Sequence, residues 1–122
     1  MTQTPFDEAT LRDGNSVYRD HFDSMTRQHL KKIVTEDLIE EHRRKPTGRH
    51  SEALERVLAY FRRLPLPHQY ALQREPDGSF RIVALSATRR GRPEPVDDTH
   101  YTMLNDAYHG VFLKKLKDLM EV

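Results

Sequence analysis

Tyr70-Ala71-Leu72-Gln73-Arg74-Glu75-Pro76-Asp77-Gly78-Ser79-Phe80-Arg81-Ile82-Val83-Ala84 reads as a β-hairpin and decides the class of the fold. Tyr70 and Leu72 stand two apart on one side of the first strand, and Phe80, Ile82 and Ala84 alternate on the second. Between them, Pro76 sets φ for a turn and Gly78 supplies the left-handed position at its end. Val83 and Leu85 also lie on the second strand, so both of its faces are expected to be covered. A lone hairpin is not stable in water and needs helices packed on it.

The flanking sequence supplies those helices. Upstream, Ser51 is placed to cap a helix in which Leu54, Val57, Leu58 and Phe61 follow the spacing of one helical face. Pro65 and Pro67 stop it. Before it, Thr35 caps a short helix with Glu36 and Asp37 in its first turn, presenting Leu38 and Ile39 and ending at the turn Lys45-Pro46-Thr47-Gly48. Earlier still, Val17, Tyr18, Phe22, Met25, Leu30, Ile33 and Val34 predict a helix from Ser16 to about Val34 with one buried stripe. Downstream, a polar loop from Thr88 to Pro95 leads to a last helix from about Thr99 to Met120. Leu104, Tyr108, Val111, Phe112, Leu116 and Leu119 form its expected apolar stripe. Lys114, Lys115 and Lys117 are expected to complement the dipole at its end. The expected architecture is α+β and mostly helical, about four helices packed with one hairpin at about 68–86. Residues 1–15 read as an arm or tail, and 16–122 as a single domain.

Composition narrows the function. Among 122 residues, Lys+Arg 20 against Asp+Glu 19 leaves a net charge of +1, and hydrophobic residues are only 36%. The core is therefore lean. The absence of cysteine removes disulfides, thiol nucleophiles, zinc fingers and iron–sulfur ligation together. No apolar run reaches the ~18–20 residues of a membrane span, and the first residues lack the regions of a signal peptide. A cytoplasmic location is the expectation.

Chemistry-bearing motifs are sparse. The seven histidines, His21, His29, His42, His50, His68, His100 and His109, include no pair at the i, i+3 or i, i+4 spacing of a helical metal site. Ser51 is explained by capping and Ser79 by the hairpin, and no nucleophile elbow or phosphate loop is present. Asp97 and Asp98 stand just before the last helix, where acids suit the dipole. No catalytic, cofactor or metal-ligating residue is therefore expected in this chain. Arg43, Arg44, Lys45, Arg49, Arg56, Arg62 and Arg63 form one basic group and Arg89, Arg90 and Arg92 another, which suits phosphates. Glu40, Glu41, Glu52 and Glu55 interleave with the first. Tyr60 is about 100° round the helix from Phe61. It is therefore expected to face outward, with Arg62 beside it and His109 at the edge of the last helix, as a partner interface. Phe61 and Phe112 are expected inside.

The same segments carry a resemblance. Ile39-Glu40-Glu41-His42, Lys45-Pro46-Thr47-Gly48, Ser51-Glu52-Ala53-Leu54-Glu55-Arg56-Val57, Tyr60-Phe61-Arg62, Tyr70 and Phe80-Arg81-Ile82 all contribute. So does Ala107-Tyr108-His109-Gly110-Val111-Phe112-Leu113-Lys114-Lys115-Leu116. Together they resemble the small (alpha) subunit of bacterial N,N-dimethylformamidase over roughly residues 16–118, with departures between Ser86 and Tyr101. The resemblance implies a hetero-oligomeric enzyme that hydrolyses N,N-dimethylformamide to dimethylamine and formate. It places the active site in a large subunit, on a mononuclear iron held by tyrosine and glutamate side chains, and gives the small subunit a supporting role. The other reading is a free-standing regulatory or nucleic-acid-associated protein that uses the arginine clusters.

Overall fold

A computed structural model describes residues 23–65, 69–86 and 91–121. The expected arm over 1–15 lies outside the described residues, as do Val17, Tyr18 and Phe22. The chain divides into two units, residues 1–32 and 33–122. Of the first, the described part is helical: α1 runs over residues 23–33, with Leu30 buried and Met25, expected in the stripe, exposed. The second unit contains α2 (Glu36–Arg44), α3 (Glu52–Arg62), β1 (Tyr70–Arg74), β2 (Phe80–Ala84), β3 (Glu94–Pro95) and α4 (Leu104–Glu121). The fold is α+β, as expected.

Local chemistry sets the helix starts. Thr35 Oγ1 accepts the Leu38 N–H at 3.2 Å, and Ser51 Oγ accepts the Leu54 N–H at 3.3 Å. Each cap satisfies one of the free donors of a first turn. In the hairpin, Gly78 takes φ +89°, which a side-chain-bearing residue rarely adopts, and its N–H donates to Glu75 O at 2.9 Å. The register pairs Tyr70 with Ala84 and Arg74 with Phe80.

The sheet holds one strand more than expected. The end of the polar loop forms β3, antiparallel to β2, with Val83 opposite Pro95 and Ala84 opposite Glu94. Two residues flanked and filled by proline carry no alternation, so the strand has no signature in sequence. Pro95 is tolerated because β3 is an edge. β2 is central, and the adjacent Ile82 and Val83 are both buried, so both of its faces are covered as expected.

The last helix departs most from expectation. It starts at Leu104 rather than near Thr99 because Tyr101 is held extended by Phe80. The Phe80 N–H donates to Tyr101 O at 2.7 Å, and the Tyr101 N–H to Phe80 O at 2.8 Å. Asp97 and Asp98 consequently stand further from the helix start than expected and are held by cations instead: Asp97 pairs with Lys114 at 2.7 Å and Asp98 with Arg81 at 3.2 Å. The helix runs to Glu121, so Lys114, Lys115 and Lys117 are not in its last turn. Nor is there a single apolar stripe. Phe112, Leu116 and Leu119 are buried along one side. Ala107 and Gly110 are buried too, on a side roughly opposite at 100° per residue. Leu104 and Tyr108, expected inside, are 42% and 40% exposed. The cause is position: α4 packs against both β1 and β2 and also against α2, so it is covered on two sides.

Gly110 sits where α4 meets the sheet. A Cβ there would lie 2.6 Å from the Tyr101 hydroxyl oxygen and 3.2 Å from Ile82 Cδ1. Alanine should gain about 1 kcal/mol of helix propensity and lose about 1–3 kcal/mol to overpacking. The Tyr101 Cζ would also lie within 2.8 Å, so the ring and not the hydroxyl alone must give way. Gly110→Ala is therefore expected to lower stability by about 1–2 kcal/mol in urea unfolding. A more stable variant would show that Tyr101 moves freely.

Candidate functional site: a histidine junction between three segments

Three histidines far apart in sequence meet in the second unit. The cap at Thr35 sets the phase of α2 so that Leu38 and His42, one turn apart, share its buried side, and His42 is only 4% exposed. His109 lies one turn before Phe112 on α4. His50 follows a turn in which Gly48 takes φ +100°. His42 Nδ1 and His109 Nδ1 are 2.9 Å apart, a hydrogen bond between rings. The His42 ring stacks on Phe112 with centroids 3.9 Å apart, and Phe112 meets Phe61 of α3 edge-on at 5.9 Å. His50 completes the row, its ring 6.1 Å from His42. Its Nε2 donates to Lys45 O at 2.6 Å, and its Nδ1 faces Glu55 Oε1 at 3.3 Å.

A second link joins the same elements. Glu41 accepts from the Ser51 N–H and from the Ser51 hydroxyl, each at 2.6 Å, which ties α2 to the start of α3. These hydrogen bonds to Ser51 hold the Glu41 carboxyl below its ordinary range. Below α3, Gln69 Nε2 donates to Phe61 O and Leu64 O, both at 2.8 Å, and caps the helix end. Lys115 Nζ donates to Gln69 Oε1 at 3.1 Å and lies 5.9 Å from the centre of the Phe61 ring.

The electrostatics follow from burial. His42 is pushed down to about 4, first by burial and then by the positive potential of His109 and His50. His109 is lowered by burial and by Arg43. His42 is therefore neutral at pH 7, yet its Nδ1 is occupied by His109 and offers no lone pair to a substrate. The rings lie stacked rather than converging on a point. Among the described residues, no group of three or more His, Asp or Glu side chains is arranged to hold a metal ion.

One further grouping carries triad-type residues. Ser79 Oγ donates to Asp77 Oδ1 at 2.6 Å and lies 3.2 Å from His100 Nδ1. In a nucleophilic triad the acid orients the histidine. Here the acid holds the serine and also accepts the Ser79 N–H at 2.9 Å, which is the chemistry of a turn.

The residues expected at an interface separate. Tyr60 is buried, 7% exposed, with its ring 6.1 Å from Phe61. It does not face outward as the sequence suggested. The buried side of α3 comprises Leu54, Val57, Tyr60 and Phe61, with Leu58 only partly covered. That face is turned roughly 40° toward Tyr60 from the one centred on Leu54, Val57, Leu58 and Phe61. Arg62 is exposed, 3.9 Å from Glu55. His109 is half-buried and committed to His42. Phe61 and Phe112 are buried as expected. The histidine junction escaped sequence reasoning because its members lie on different elements. One signal was available: His42 follows Leu38 by four residues on the same helix.

The fold and its polar groups thus define a small helical domain whose histidines, serines and acids bind its own elements together. A family model described as N,N-dimethylformamidase alpha subunit matches residues 17–122. The N,N-dimethylformamidase alpha subunit of Paracoccus aminophilus is 29% identical over 119 residues, covering 93% of this chain and 83% of that protein. The chain belongs to the N,N-dimethylformamidase alpha subunit family.

Proposed function

We propose that this chain is the non-catalytic small subunit of a hetero-oligomeric amide hydrolase that converts N,N-dimethylformamide and water to dimethylamine and formate. Its partner is a large catalytic subunit carrying a mononuclear iron. The family match over nearly the whole chain carries the reading. The internal use of Ser51, Ser79, Glu41 and His42 supports it, since each is engaged within the chain itself. The reading places the protein in the cytoplasm; among the described residues, no helix is long and apolar enough to cross a membrane.

The nucleic-acid reading has less support. In the first basic group, Arg43 and Arg44 pair with Glu40, Arg56 with Glu52 and Arg62 with Glu55, so part of that group is balanced in place, while Arg89 and Arg90 of the second lie outside the described residues. Binding governed by phosphates would show retained nucleic acid that is lost steeply with salt.

The test is assembly followed by assay. The chain alone is expected to release no dimethylamine from N,N-dimethylformamide, with or without added iron. Co-expressed with its partner, it should purify in fixed stoichiometry with a larger iron-containing protein that does. Its melting temperature should rise on assembly, since a partner that binds only the folded state stabilises it. Turnover by the isolated chain at the rate of the complex would overturn the non-catalytic assignment.

A further inference from the structure

The contact between α2 and α4 includes, beside the stack of His42 on Phe112, a hydrogen bond that a doubly protonated pair cannot make. Among the described residues, the His42 and His109 rings hydrogen-bond to each other through their Nδ1 atoms. One ring must therefore donate its Nδ1–H to the lone pair on the other's Nδ1. A first proton can enter at an Nε2 and leave that bond in place, now charge-assisted. A second must occupy the accepting Nδ1. Two N–H groups on two cations would then face each other across 2.9 Å.

The charges around the pair do not rescue it. On α2, Glu41 favours a charged His42 but is turned to Ser51, and Glu40 favours a charged His109 but is paired with Arg43 and Arg44; burial outweighs both. On α4, Asp106 favours a charged His109, while Arg43 opposes it. From the loop, His50 stacks on His42 and adds positive potential, and Glu55 of α3 faces His50 rather than His42. Phe112 and Phe61 complete the walls.

We propose that His42 and His109 form an acid-sensitive latch that holds α2 on α4 while the pair carries at most one proton and releases it when both rings are charged. The Glu41–Ser51 link is a carboxylate bond and outlasts the latch as pH falls. Opening is therefore a local swing of α2 about its junction with α3, and the hairpin is not disturbed.

The sign follows from linkage. His42 has an ordinary pKa of 6.5 when unfolded and about 4 when buried. Between those values the open state binds more protons, so closure weakens as pH falls across that window and is unaffected above it. One proton corresponds to about tenfold in the opening equilibrium per pH unit.

Amide hydrogen exchange measured by mass spectrometry tests this on the full chain, in complex with its partner where the two purify together. Corrected for the intrinsic rate, exchange over 36–44 should accelerate by up to about tenfold per pH unit between 6.5 and about 4, while the 70–84 hairpin stays protected. His109→Gln supplies a neutral amide that can donate to or accept from His42, and should weaken the response, leaving the part that burial of His42 imposes. His42→Phe, which can stack on Phe112 without titrating, should flatten it. His100→Asn, at an exposed position, should keep it. A pH-independent α2 in the parent chain, or an unchanged acid response in a folded His109→Gln, would overturn the latch.

Discussion

Phe112→Ala is expected to lower the unfolding free energy by about 3–5 kcal/mol. The ring is only 3% exposed and joins three elements, stacking on His42 of α2 and meeting Phe61 of α3 from its own place on α4. Truncation leaves a cavity that neither neighbour can easily fill, because His42 is tethered to His109 and Phe61 sits below the Lys115–Gln69 link. Urea unfolding at neutral pH measures the loss. Phe112→Leu, which retains most of the apolar volume, should lose much less. Equal losses for the two variants would mean that the aromatic contacts, and not the buried apolar volume, carry the contribution.

Tyr60→Ala should destabilise the chain by about 3 kcal/mol, whereas Arg62→Ala should change its stability by no more than about 0.5 kcal/mol. These neighbours occupy opposite situations: Tyr60 fills the core side of α3, and Arg62 stands in solvent with a long ion pair to Glu55. An exposed pair of that kind contributes little to folding. Thermal melts of both variants separate the cases. If Tyr60→Ala melts like the parent, the buried face of α3 is centred on Leu58 after all. Arg62 is then the residue of the two to test for assembly, by measuring recovery of the partner subunit with Arg62→Ala. Unchanged recovery would remove it from the interface.

Much of the local structure was legible in the residues. Thr35 and Ser51 cap their helices as their side chains suggest, and Gly78 turns the hairpin with the register that Tyr70, Leu72, Phe80 and Ile82 require. Phe61 and Phe112 were assigned to the interior by helical spacing and lie there. The family, too, was legible from blocks such as Ser51–Val57 and Ala107–Leu116, which fall within the matched residues. In each case the signal lies within about two helical turns of the residue that it places.

Other features were set by what an element packs against. β3 exists because β2 offers it an edge, and Tyr101 delays α4 by pairing with Phe80. Tyr60 is buried because the neighbours of α3 cover that flank, and Tyr108 is exposed because α4 is covered on other sides. Periodicity ranks apolar positions round a helix but does not say how many partners the helix has. The histidine junction shows the division most plainly: His42 and His109 stand 67 residues apart, and nothing in either segment announces the other. The caps, the turn, the hairpin and the family could be read from the residues, because their signals lie in neighbours along the chain. That two imidazoles share one hydrogen bond follows from the packing of α2 on α4, which brings the two rings together out of water.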